Sequence, residues 1–212
     1  MSFSIFDYRK DLANLLVSPH IRARFLRIEP GEIHGMHSHD LGHEVFFILE
    51  GRLTFYIDSE EQTLGPGQLC VALADQIHQV RNNGDEPVYM YLSVTPHIQP
   101  THTGRDADGT RHPTRFVASS SYNVVTDEST PIDELIDDVT AKAESLADSA
   151  RKGAETSRQL GAQLKDALSN RNAEEAVQLR EALWERLRQT HRDLYALSDR
   201  WNDLAPRAGK LE

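Results

Sequence analysis

The chain has 212 residues, with 33 acidic against 23 basic side chains and a net charge of −10 at neutral pH. That balance argues against a surface built for phosphates or anionic lipid, so no nucleic-acid or membrane partner is expected. A single cysteine leaves no internal disulfide, no apolar run approaches the ~18 residues of a spanning helix, and the start lacks a signal-peptide core. A soluble cytoplasmic protein is the expectation.

The first hundred residues read as strands. IRARFLRI (21–28), EVFFILEG (44–51), GRLTFYID (51–58) and VYMYLSV (88–94) are rich in β-branched and aromatic residues, with turn signals such as EPGE, GPG and NNGDEP between them. Many short strands in close succession predict an all-β sandwich or barrel over residues 1–115. Arg22 and Arg24 share one face of the first long strand. They fit either a substrate carboxylate inside the barrel or an outward solvated face, and without an anion motif the outward face is favoured. Phe46, Ile48 and Tyr56 are expected to line the interior, and Cys70 reads as a buried small hydrophobe.

Residues 97–130 are polar, with prolines, glycines and a serine run, and the linker is placed at 116–130. His97, His102 and His112 have no ligand-like spacing and read as solvated loop side chains. From Thr130 the period changes: a capping hydroxyl, Pro131 at the first helical position and Asp133 in the first turn mark a helix start.

A 4,3 spacing runs through Ile132, Ile136, Val139, Ala143, Leu146, Ala150, Gly153, Ser157, Leu160, Leu164 and Ala167. SNRN (169–172) interrupts it, with Asn172 as the next cap. The prediction is a helical hairpin over 131–206, with helices of about 131–169 and 172–205, each ~50–57 Å long. Folding at SNRN sets residues whose numbers sum to about 340 opposite each other, so Gly153 faces Leu187 and Val139 faces Trp201. Leu135, Leu168, Val177, Leu179, Trp184 and Tyr195 fall off that seam and need cover, which predicts a homodimer.

The chemistry concentrates in GEIHGMHSHDLGHEVFFILEG (31–51), which carries four of the chain's ten histidines. Alternation along a strand points His37 and His39 the same way, and Glu44 returns to that face after the turn-like DLG. Two imidazoles and a carboxylate converging inside a barrel cost several kcal/mol unless a cation sits between them. A divalent ion turns those costs into ligand bonds, and His78 is the candidate fourth ligand from another strand. His43, next to Glu44, faces away.

Gly31, His37, His39, Glu44 and Gly51 fit the first motif of the cupin superfamily: glycine, five residues, His-x-His, four residues, Glu, six residues, glycine. Gly67, His78 and Asn82 match the second motif, with Leu73 and Asp75 where its proline and glycine usually stand. The resemblance spans about residues 20–96. It implies a jelly-roll β-barrel, followed here by the helical hairpin, and a metal site of His37, His39, Glu44 and His78.

Three imidazoles and one carboxylate leave two positions open on a six-coordinate Fe, Mn, Ni or Co ion, whereas Zn is satisfied at four ligands. The reading is a metal-dependent enzyme acting on a small molecule, dioxygenase-like or an isomerase or lyase. The alternatives are a non-catalytic small-ligand sensor whose hairpin mediates association, and an assembly protein scaffolded by the barrel.

Overall fold

The structure, a computed structural model, describes residues 3–124 and 129–209. Part of the predicted linker, residues 125–128, lies outside the described residues. The chain divides into two units, Met1–Asp127 with Ala205–Glu212, and Glu128–Leu204.

In the first unit the described residues form ten strands: β1 Asn14–Ser18, β2 Ile21–Ile28, β3 His37–Ser38, β4 His43–Glu50, β5 Leu53–Ile57, β6 Glu60–Leu64, β7 Leu69–Ala72, β8 His78–Arg81, β9 Val88–Thr95 and β10 Thr103–Gly104. They make two five-stranded sheets, ordered β1-β2-β9-β4-β7 and β10-β3-β8-β5-β6, with every pairing antiparallel. This is the expected jelly-roll architecture. Alternation sends Phe46 and Ile48 of β4, Met90 and Leu92 of β9, and Leu53 and Phe55 of β5 into one core. Each such side chain contributes ~1.5–3 kcal/mol on burial. Tyr56 does not join them. Its partner Gln79 lies on the outer face, while Phe55 opposite Val80 is 2% exposed and fills the interior.

The turn from β4 to β5 depends on Gly51. Its φ is +81°, and a Cβ there would meet the Pro87 carbonyl oxygen at 2.9 Å. Asn82, at the end of β8, is buried and ties the loops beyond it: its amide donates to the Ile28 and Glu86 carbonyls at 3.1 and 2.9 Å.

The second unit is the predicted pair of long helices, α1 Ile132–Ser169 and α2 Ala173–Leu204, which pack against each other. Asn172 caps α2 as expected, with Oδ1 accepting from the Glu175 N–H at 3.3 Å and Nδ2 donating to Glu175 Oε2 at 2.9 Å. Pro131, not Thr130, stands at the N-cap of α1.

The pairing is antiparallel near the expected register. Ser149 meets Thr190 at 3.4 Å and Asp138 meets Arg200 at 3.0 Å. The seam is the predicted one in part: Val139, Leu146, Gly153, Leu160 and Leu164 are sheltered as expected, and the positions between them differ. Gly153 faces Thr190, Leu187 is 51% exposed, Ile132 and Ile136 are exposed, and Leu135 is buried. The alternate positions of the sheltered face are Leu135, Lys142, Ser149 and Thr156, whereas Ala143, Ala150 and Ser157 are exposed.

Candidate metal centre

Strand pairing gathers four distant positions. On the inner face of the first sheet, Glu44 of β4 lies in one cross-strand row with Val94 of β9 and Arg22 of β2. On the second sheet, His37 of β3 is the direct partner of His78 on β8, and His39 follows β3 on the same side. The donor atoms of His37, His39, Glu44 and His78 all lie within 4.8 Å of one another. Glu44, His39 and His78 are buried, and His37 is half-buried.

Glu44 Oε2 is 2.9 Å from His39 Nε2, 3.0 Å from His78 Nε2 and 3.9 Å from His37 Nε2. The other nitrogen of each ring is spoken for. His37 Nδ1 contacts the Gly35 carbonyl and His78 Nδ1 the Gln76 carbonyl, both at 2.9 Å, and His39 Nδ1 contacts the Thr101 carbonyl. A carbonyl only accepts, so each Nδ1 carries the proton, and each ring turns its Nε2 towards the carboxylate. An Nε2 this close to a carboxylate oxygen requires either a proton or a cation between them.

Burial pushes the Glu44 carboxyl up, but the contacts from His39 and His78 outweigh it and hold the group well below the usual carboxylate range. Burial, with His78 beside it, pulls His37 down to about 4. An ionised carboxylate and an uncharged imidazole are the forms that ligate metal. Donors around an ion at ~2.1 Å stand roughly 3–4.2 Å apart, so a few tenths of an ångström of adjustment closes this set. The residues fit a transition-metal ion, and the three backbone carbonyls orient the rings as outer partners of ligating histidines do.

A cavity of about 160 Å³ adjoins the cluster, lined by His37, Glu44 and His78 together with Arg22, Arg24 and His102. A larger cavity of about 380 Å³ is lined by Ile57, Gln62 and Cys70 among others and contains none of the four. Burial pushes the Cys70 thiol up to about 12, which leaves it unreactive.

Three sequence expectations are corrected. Arg22 is 3% exposed and, with Arg24, lines the cavity instead of facing solvent. His97 is buried, its ring edge-on to Tyr122 at 4.9 Å. His102 packs at 4.9 and 4.8 Å from the rings of His37 and His39, and burial holds its pKa well below the ordinary histidine value. No spacing signal marks His102, because its neighbours lie more than sixty residues away. His112 is an exposed side chain paired with Asp106. His34 pairs with Glu32 at 2.9 Å, and the exposed His43 accepts from the Ala74 N–H.

Two antiparallel sheets thus enclose three imidazoles and one carboxylate placed so that they could hold a metal ion. Residues 24–95, about a third of the chain, match the Cupin_2 family, described as a cupin domain. The chain is 33% identical over 69 residues to "Polyketide synthase CurC" of Streptomyces cyaneus, a match covering 32% of this chain and 45% of that protein. It therefore spans about half the length of that relative. Among solved structures, TT1209 of Thermus thermophilus is 26% identical with a TM-score of 0.38, over 40% of this chain and 80% of that one. A double-stranded β-helix protein of Klebsiella pneumoniae is 20% identical with a TM-score of 0.41, over 43% and 84%. No helix among the described residues is long and apolar enough to cross a membrane.

Proposed function

We propose that the barrel binds one divalent transition-metal ion through His37, His39, Glu44 and His78 and uses it for chemistry on a small molecule held in the adjoining cavity. The observation that carries this reading is the set of Nδ1 contacts to backbone carbonyls, which leaves three Nε2 atoms converging on a buried carboxylate. A bound ion supplies Lewis-acid polarisation and open coordination positions. The chain's own residues do the rest. Gly35, Thr101 and Gln76 hold the imidazole rings in place through their carbonyls. Arg22, with Nη2 at 3.8 Å from Glu44 Oε1, favours the ionised carboxylate. Phe46, Val80, Met90 and Leu92 line the cavity and exclude water from it.

Dioxygenase-type oxygen use, isomerisation and elimination all fit an open site of this kind. Elemental analysis after purification without added metal, then after reloading with Fe, Mn, Co, Ni or Zn, tests the centre. About one equivalent is expected, and uptake below about a tenth of an equivalent with every metal removes the reading. Oxygen consumption and product formation across a panel of small enediols, phenols and thiols then test catalysis. Stoichiometric metal with no turnover on the panel favours the ligand-sensing role.

A further inference from the structure

The cavity beside the metal cluster contains two cations for one anion. Arg22 is buried to 4% side-chain exposure, and its closest acid, Glu44 Oε1, stands at 3.8 Å, beyond hydrogen-bond reach. The Nε of Arg22 and the Nε of Arg24 are both buried without a hydrogen-bond partner among the described residues. The Tyr122 ring, 5.2 Å from the Arg22 guanidinium carbon, covers a face of that group but accepts none of its N–H bonds. Glu44 has its other oxygen between His39 and His78, so it cannot also satisfy both guanidinium groups.

The geometry adds direction. Arg22 and Arg24 lie two residues apart on one strand face, opposite Val94 and Leu92 of β9, about 6.6–7 Å apart along the strand. That spacing lets two guanidinium forks close on one small oxyanion. Beyond them the cavity wall turns apolar, with Leu26, Phe46, Met90 and Leu92. Its 160 Å³ is close to the ~150 Å³ of an engineered apolar cavity that admits benzene.

We infer that Arg22 and Arg24 form an anion-binding subsite beside the metal cluster, taking the carboxylate of a small organic acid whose apolar body lies against Phe46 and Leu92. The subsite deepens the proposed function and rests on that reading for its role in turnover; the binding itself needs no metal. The charges agree: Arg22 and Arg24 against Glu44 leave one positive charge in the metal-free cavity, and a divalent ion adds two more. Burial and the like charge of Arg22 already depress the Arg24 pKa, a strain that a carboxylate between the two groups relieves.

Calorimetric titration of the full chain with benzoate, and with benzamide as its uncharged isostere, tests this on chelator-stripped protein and again after metal reloading. Benzoate is expected to bind the stripped protein at one site, with benzamide about tenfold weaker or worse. Arg24→Met is expected to weaken benzoate about ten- to a hundredfold, and Arg24→Lys to fall between. Should Arg24→Met melt without a cooperative transition, Arg24→Lys carries the comparison. Equal binding of the two probes, no benzoate binding at millimolar concentration, or an affinity unmoved by both Arg24 variants overturns the subsite. Benzoate that binds only the reloaded protein and ignores Arg24 sits on the metal, which overturns the subsite and sustains the metal centre. Arg24-dependent binding in a protein that takes up no metal sustains the subsite and removes the metal centre.

Discussion

Replacing Glu44 by glutamine keeps the shape of the side chain and removes its charge. Oε2 lies at 2.9 and 3.0 Å from His39 and His78, and Oε1 at 3.8 Å from Arg22 Nη2. A hydrogen bond to a charged group contributes ~1.5–3 kcal/mol and a neutral one ~0.5–1.5, so each histidine contact loses about 1 kcal/mol. Arg22 loses its counter-charge; at an effective dielectric of ~20 and 3.8 Å the attraction is about 4 kcal/mol. Relaxation recovers part of this, and breaking a buried pair costs ~3–5 kcal/mol overall. The metal-free variant is therefore expected to melt roughly 12–20 °C lower, at ~4 °C per kcal/mol for a domain of this size. It still folds, because the apolar core of Phe46, Ile48, Phe55 and Met90 does not include Glu44. Circular-dichroism melts with and without metal are the assay. A metal at about a hundred times its Kd adds ~2.7 kcal/mol to the wild type, and that increment is expected to shrink towards zero in Glu44→Gln. A variant whose metal-dependent shift and metal-free melting both equal the wild type's refutes the reasoning, since the charge of Glu44 would then support neither Arg22 nor the ion.

The remaining predictions concern acid sensitivity and assembly. Burial, with Arg22 and His39 nearby, pulls His97 down to about 3, so the fold holds the neutral ring while the unfolded chain takes a proton near pH 6.5. Stability is full above pH 6.5 and falls as pH drops towards about 3, by about 2 kcal/mol between 6.5 and 5. His97→Phe keeps the ring against Tyr122 and is expected to flatten that slope in denaturant melts; an unchanged slope rejects the assignment. The exposed Leu168, Val177, Trp184 and Leu187 call for cover, and a homodimer through the hairpins is expected to give a scattering mass twice the 23.9 kDa of the chain. Deleting residues 130–212 is expected to return a monomeric, cooperatively melting barrel, and a fragment that stays dimeric places the interface on the sheets.

How much of this was legible follows from the range of each signal. The four cluster residues were readable because strand alternation and a short turn put His37, His39 and Glu44 on one face, a local consequence of spacing. The long helices were readable for the same reason, from periodicity, and with them half of the α1 seam, Val139, Leu146, Gly153 and Leu160; the other half runs through Lys142, Ser149 and Thr156, polar side chains that a hydrophobic pattern passes over. Arg22 and Arg24 misled because both faces of IRARFLRI mix arginine with apolar residues. The face is fixed by the pairing with β9, where Ile28 lies opposite Val88 and both are fully buried. His102 could not be read at all, since it reaches the cluster from a loop through tertiary packing alone.

The turn that aims His78 is the sharpest case, because there the sequence departs from the family pattern while the geometry is still reached. Where the resemblance leads one to expect proline, Leu73 keeps an N–H and donates it to Gln76 Oε1 at 2.8 Å, a turn-closing bond that proline cannot make. Where glycine is expected, Asp75 adopts φ +65°, a left-handed conformation that aspartate tolerates better than most residues. Its N–H reaches the His39 carbonyl at 2.8 Å, tying the turn to the segment that holds two of the other cluster residues. Gln76 then offers its carbonyl to His78 Nδ1 at 2.9 Å. The two substitutions thus exchange a rigid, side-chain-free turn for a hydrogen-bonded one, and His78 Nε2 still points at Glu44.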